Sequence, residues 1–419
     1  MRTLNFNKVF LKEKGLNFLI CTLLFSLTMS MGLSSVALVI MYVIGGVLIF
    51  LSKKPLAIKN IDILFLLFFC VFLLSIFWST NLPESINELT KLLPFLFTPF
   101  FFIYCRTNDV KLNYILFIKV FVYSVLLFGL VLIISSTYNI VVNNKPIIEL
   151  VTKNVRFNLV KISPIGFHTP YFGMFLVFSF ALLFFLKERK SISFLFFFSS
   201  IGFILFLLYL NSNITSYICL LLVLLLIALF KIKKKYVYYF LIISSLLALV
   251  LYIGFKKDIK EALHFDPAVS YWETPKYRIL RFFHEGDPTR KQTWKYSTSI
   301  IKDNIYFGVG IGDFVDELQT KRDKNTYAYI NKLDAHNQYL NVAGKTGIIG
   351  LIIIIAIILN NIIIARKNNS FIFYSFILIT STSFFTDSIL SRQWGLIFFC
   401  IFNYILYEYT KSSKEKVRL

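Results

Sequence analysis

The stretch DAHNQYLNVAGKTGIIGLIIIIAIIL, Asp334 to Leu359, changes character within itself. Its first half is polar and holds one of the chain's four histidines; its second half is a continuous apolar run. A run of this composition reads as a membrane span, so the histidine stands at the entrance to a bilayer. The pattern recurs along the chain. Of 419 residues, 57% are hydrophobic and only 16% charged, and segments such as FLICTLLFSL and ILFLLFFCVFLLSIF follow one another in series. That excludes a soluble domain and predicts an all-α polytopic membrane protein. The first run starts near Leu16 without a small-residue cleavage site, which predicts a retained anchor.

Twelve transmembrane helices are expected, near residues 16–33, 35–51, 61–78, 88–105, 113–134, 169–186, 191–210, 214–230, 236–253, 346–365, 371–387 and 394–409. Lysine and arginine then sort by side. The N-terminal tail, every second connection and the C-terminal tail together carry twenty-two basic residues, whereas the four short connections opposite carry only Arg392. The positive-inside rule puts both termini in the cytoplasm. The net charge of +22 is therefore in large part a topological signal facing anionic lipid, and no nucleic acid is expected as a partner. The five cysteines all fall inside or at the ends of apolar runs, without metal-ligand spacing, so neither a disulfide nor a metal site is expected.

The organisation predicted is nine spans over 1–253, a large periplasmic loop over 254–345, and three spans with a basic tail over 346–419. The loop holds fifteen basic and twelve acidic groups. A long extracytoplasmic insert is where function is expected. Within it, TRKQTWKYSTSIIKDNIYFG reads as a helix with Thr289 as its cap and Trp294, Thr298 and Ile301 on one face. It ends at the glycines of FGVGIGDF, Gly308, Gly310 and Gly312, and a second short helix is expected from about Asp313 to Lys324. GVGIG lacks the strand and GK[ST] context of a phosphate cradle, so a tight helix-ending turn is the expectation. The spacing of His336, Tyr339, Leu340 and Ala343 places His336 on one face of a third helix, which Gly344 and Gly347 let turn inward.

At these residues the sequence resembles the O-antigen ligase/polymerase superfamily of bacterial membrane glycosyltransferases. The resemblance rests on Arg290-x-x-x-Trp294, the turn Gly308-Val-Gly-Ile-Gly312, His336-Asn337 and Gly344-x-x-Gly347, with TDSILSRQWGLIFF (Thr386 to Phe399) similar to the family's C-terminal end. It implies transfer of a glycan from an undecaprenyl-diphosphate carrier at the periplasmic face of the inner membrane. The acceptor is lipid A–core in a ligase, another carrier-linked repeat unit in a polymerase, and a protein hydroxyl in a third branch. By position, His336 corresponds to the family's catalytic histidine and Arg290 to an arginine that holds the diphosphate; Asn337 belongs to the same motif and is assigned to substrate binding. The family's second arginine, at the outer start of the eighth span, is absent: that region reads NSNITSYIC, with Thr215, Ser216 and Tyr217. Arg392 is the leading substitute, followed by Arg278 and Arg281, and His168 is a further substrate contact.

The chemistry suits these residue types. A sugar joined through C1 to a diphosphate carries a good leaving group, so catalysis needs an activated acceptor hydroxyl and cations for the growing charge. Histidine, with an unperturbed pKa of about 6.5, accepts a proton near neutral pH. Arginine stays charged and offers forked donors to phosphate oxygens. Glu84 and Glu88 form no paired-acid motif, so a metal-independent, inverting displacement with no cofactor is expected. The rival class is a transporter or flippase. Against it stand the lack of visible repeats, the scarcity of charge in the spans, and the concentration of polar residues in one loop.

Overall fold

The computed structural model describes residues 2–144, 168–211, 213–231 and 288–415. Among them every regular element is helical. In chain order the first six helices are α1 (Arg2–Met29), α2 (Met31–Phe50), α3 (Asn60–Leu74), α4 (Leu82–Lys91), α5 (Leu93–Thr107) and α6 (Tyr114–Val142). Then come α7 (Thr169–Glu188), α8 (Phe194–Asn211) and α9 (Ile214–Lys231). The loop contributes α10 (Pro288–Asp303), α11 (Phe314–Thr320) and α12 (Tyr327–Ile330), and the chain closes with α13 (Gln338–Lys367), α14 (Phe371–Thr386) and α15 (Gln393–Glu415).

Seven of the described helical segments are long and apolar enough to cross a membrane: α2, α3 with its 3-10 extension to Trp78, α4–α5, α6, α7, α8 and α13. Helices α9 and α14 are apolar but shorter. The expected span at 236–253 lies outside the described residues, as do Arg278, Arg281, His264 and His284. Two expected boundaries are corrected. The first turn falls at Ser30, between α1 and α2, earlier than the hydropathy break at residue 34. The fourth expected span begins at Leu82, because Asn81 caps α4 by accepting the Glu84 amide, and it breaks at Leu92, with Pro94 in the first turn of α5.

The described chain divides into two compact units, residues 1–124 with 292–419, and residues 125–291. In the second unit α7 packs against α8 and α9. The close approach needs Gly173, where a Cβ would strike Ser216 and Asn211. Asn211 donates to the Thr169 carbonyl at 3.1 Å, tying α8 to the first turn of α7.

The first unit is built on aromatic packing. Phe65 of α3 meets Phe95 of α5 at 5.0 Å and Tyr404 of α15 at 5.2 Å, and Phe102 stacks on Tyr404 at 4.8 Å. Phe384 of α14 reaches Phe399 of α15 at 5.3 Å. In lipid, where burial of apolar surface gives helices little reason to associate, such interlocking contacts and polar bridges hold a bundle together. The polar bridges are specific. Asp62, fully buried at the start of α3, accepts two bonds from Arg106 at 2.6 and 2.7 Å, one from the Tyr404 hydroxyl at 2.9 Å and one from the Lys59 amide at 2.7 Å. Arg106 also pairs with Glu408 at 3.0 Å. The Asn361 and Asn403 carboxamides join α13 to α15 within the core. Arg106 therefore does more than mark a basic connection: it knots α3, α5 and α15 at one end of the bundle.

Removing Asp62 takes away the fully buried of the two carboxylates on Arg106 and leaves its Nη2 without that partner. Asp62→Ala is expected to cost about 3–5 kcal/mol of stability, against about 1 kcal/mol for Tyr404→Phe, which removes one neutral donor. Thermal unfolding in detergent micelles checks the order; equal, small effects would contradict it.

Candidate active site

Helix α13 is two half-helices joined at Gly347, whose backbone (φ 66°, ψ −161°) leaves the helical region. A break here frees the carbonyls and amides that would have bonded across it, and buried backbone groups must find other partners. The glycine turn supplies them. The Ile348 amide, which a continuous helix would direct to Gly344, donates instead to the Ile305 carbonyl at 2.8 Å. The Gly344 carbonyl takes the Val309 amide at 2.9 Å, and the Lys345 carbonyl takes the Gly310 amide at 3.1 Å. Such close backbone approach requires glycine on both sides. Gly308 (φ 68°) and Gly310 (φ 105°) adopt conformations that other residues resist, and a Cβ on Gly347 would run into the Tyr306 carbonyl. The GVGIG segment is thus the tight turn expected, with the amides of Val309 and Gly310 committed to α13.

The turn is fixed on its other flank by Asp313, the residue before α11. Its carboxylate accepts the Thr80 amide at 2.6 Å, the Asn81 amide at 2.8 Å, the Ser79 hydroxyl at 3.0 Å and the Thr80 hydroxyl at 3.1 Å. Burial alone would raise the pKa of Asp313, but these four donors hold it below the usual aspartate value. The stripe of α10 that is buried is Thr293, Ser297 and Ile300. Ile300 joins Phe314, Leu318 and Ala335 in a small apolar core. Arg322, itself buried, donates to the carbonyls of Leu333 at 2.6 Å and Ala328 at 3.3 Å, and so shapes the chain leading to His336.

His336 lies outside the helix on which its spacing placed it. Asn337 is the cap of α13: its side-chain oxygen accepts the amides of Tyr339 at 3.0 Å and Leu340 at 3.1 Å. His336 precedes that cap in a left-handed conformation (φ 46°), with its own amide bonded to Asp334 at 2.9 Å. This is an uncommon conformation for a side-chain-bearing residue, held by the structure around it. It directs the imidazole towards α14, where Nδ1 meets the Asp387 carboxylate at 3.1 Å. The ring remains about one-quarter exposed, at 27%. An ionised carboxylate only accepts hydrogen bonds, so this contact places the proton of the neutral ring on Nδ1 and its lone pair on Nε2.

The start of α13 and its cap are pinned to the chain on both sides of Asp387. Asn337 donates to the Phe385 carbonyl at 3.2 Å, Gln338 accepts the Leu390 amide at 2.7 Å, and Asn341 donates to the Ser391 hydroxyl at 2.9 Å. Below these, Lys345 is buried against Glu88 at 2.5 Å, and Glu88 also binds Lys91 at 2.5 Å. Of the residues singled out in the sequence, the structure brings together His336, Asn337 and the 387–392 segment that carries Arg392, which is itself exposed. Arg290 lies in the first turn of α10, half-buried, in the second unit. His168 precedes α7 in that unit, its ring 5.2 Å from Tyr171. Asp387 and the Lys345–Glu88 pair carry no local sequence signal, being separated from their partners by 51 and 257 positions.

Residues 200–355, which include α9, α10, the glycine turn and His336, match the family model described as O-antigen ligase. No curated protein matches the chain. The match bears out the resemblance to the O-antigen ligase/polymerase superfamily, whose members are glycosyltransferase-like enzymes. Together with the apolar helices it supports a multi-pass membrane protein.

The Asp313 clamp has a pH signature. Its pKa is depressed on folding, so its contribution is complete above the ordinary carboxylate range and is lost as pH falls through the lower, folded value. Asp313→Asn is expected to lower stability by about 1–3 kcal/mol at neutral pH and to flatten the decline of melting temperature with acid. An unchanged acid profile in the variant would contradict the clamp.

Proposed function

We propose that the chain is an O-antigen ligase, a glycosyltransferase moving a glycan from an undecaprenyl-diphosphate carrier to lipid A–core at the periplasmic face of a bacterial inner membrane. The observation that carries this reading is the His336–Asp387 pair, whose histidine lies inside the segment matched by the family model. The topology proposed with it has twelve spans, both termini in the cytoplasm and the 254–345 loop in the periplasm, as the distribution of basic residues supports.

In this reading Asp387 orients the imidazole, and Nε2 of His336 takes the proton of the acceptor hydroxyl. The hydroxyl oxygen attacks C1 of the donor sugar as the bond from C1 to the diphosphate oxygen breaks. The carrier diphosphate leaves with the bonding electrons, and the anomeric centre inverts. Arg290 and Arg392, with Arg278 and Arg281 in support, balance the charge that grows on the diphosphate, the kind of stabilisation that commonly dominates catalysis. Asn337 starts the helix directly behind the imidazole and contacts substrate, as does His168. No metal or cofactor enters the scheme.

The test is transfer by the purified protein from a defined carrier-linked glycan, with lipid A–core or a second carrier-linked repeat unit as acceptor. His336→Ala is expected to lower kcat by about 10²–10⁴-fold, the range for a positioned general base. Asp387→Asn, which removes only an orienting partner, is expected to lower kcat by at least about tenfold with KM little changed. A chelator should leave the rate unchanged, and the product should show inverted configuration. Full activity in His336→Ala would remove His336 as the base, and absence of transfer to either acceptor by the unaltered protein would remove the enzymatic reading. Transfer only to the carrier-linked acceptor would make the protein a polymerase.

A further inference from the structure

The tip of the large loop is greasy where a solvated loop would be polar. From Asn304 to Gly312 the sequence NIYFGVGIG contains no charge, and Ile305, Tyr306 and Phe307 are 48, 70 and 59% exposed. The 3-10 turn after α3 exposes a matching pair, Phe77 at 85% and Trp78 at 38%, and the Trp78 and Phe307 rings touch edge to face at 5.8 Å. Leu82, on the next element, is exposed beside them in sequence.

The depth of this patch follows from the kink in α13. Before Gly347 the half-helix buries polar groups, Gln338, Asn341, Lys345 and Thr346; after it, exposed side chains such as Ile352 and Leu359 are apolar. In a membrane span such an exposed apolar stripe faces lipid, so the change at residue 347 marks the boundary between polar surroundings and acyl chains. The loop tip is tied to that level, since the Ile305 carbonyl accepts the Ile348 amide at 2.8 Å. The same patch continues the exposed apolar side chains at the end of α3, Leu73 and Leu74. It therefore lies between two exposed apolar stripes, those of α3 and α13. Tyrosine and tryptophan, with an apolar body and a polar edge, suit this zone.

We propose that Ile305, Tyr306 and Phe307, with Phe77, Trp78 and Leu82, form a lip that inserts into the headgroup–acyl boundary of the adjoining leaflet, so that phospholipid is its partner. The large loop is then anchored in the bilayer at its glycine turn, and the lip sets the height at which α13 presents His336. This inference depends on the membrane crossing and is independent of glycan transfer.

The test uses the full chain, carrying the photoreactive aromatic benzoylphenylalanine in place of Tyr306, of Phe307, or of the exposed Lys321 as a control. It is reconstituted in vesicles of phosphatidylethanolamine and phosphatidylglycerol and illuminated. Phospholipid adducts are expected at 306 and 307, with their loss at 321. One aromatic ring replaces another at 306 and 307, and Lys321 is exposed, so the fold is kept, which circular dichroism verifies before illumination. Absence of lipid adducts at 306 and 307 would overturn the proposal. So would exclusive labelling of added prenyl-diphosphate carrier, which would make the patch a substrate groove.

Discussion

A helix that breaks at the edge of a bilayer must satisfy its freed backbone groups locally, because lipid supplies no hydrogen bonds. At Gly347 this is achieved by exchange. The Ile348 amide leaves its helical partner for Ile305, and Val309 and Gly310 take over the carbonyls left behind. The exchange brings two distant parts of the chain into backbone contact, which explains why glycine stands at 308 and 347, where a side chain would collide with main-chain atoms, while one at 310 would collide with Ser79. The remainder of the site is built outward from this junction. The first half of α13 buries polar groups, its capped end supports His336, and the loop that closes the junction is held by Asp313.

The polar groups around the junction are buried and partnered, and few could change without leaving another group stranded. Asp313 gathers four donors, Gln338 and Asn341 reach the 389–391 turn, and Lys345 shares Glu88 with Lys91. Networks of this kind rigidify a site when every member is satisfied. A rigid support suits the base proposed at His336, which would have to meet a hydroxyl within hydrogen-bond distance. The opposite knot, Asp62 with Arg106, Glu408 and Tyr404, applies the same principle to α3, α5 and α15.

What could be read in the sequence was whatever is local. Apolar runs located helices, seven of the described ones long enough to cross a membrane, glycines located the turn, and a lone histidine before an apolar run pointed to the candidate site. The buried face of α10 could not be picked out because it uses Thr293 and Ser297, small polar residues that carry no hydropathy signal. The conformation of His336 was hidden because an i, i+3, i+4 pattern cannot tell a helix from the residue just before its cap. The carboxylates of Asp387, Asp313 and Glu88 were illegible for a different reason. Each finds its partner through the fold, across 51, more than 230 and 257 positions, and a single sequence carries no record of such pairs.

The central claim is that the kink at Gly347 and the glycine turn form one unit that holds the histidine in place. Hydrogen exchange and glycan transfer, measured together on Gly347→Ala, test it most directly. The account predicts that the amides of Val309 and Gly310 lose protection and that transfer falls with them, although residue 347 lies eleven positions from His336. Retained protection at both amides, with transfer intact, would contradict it.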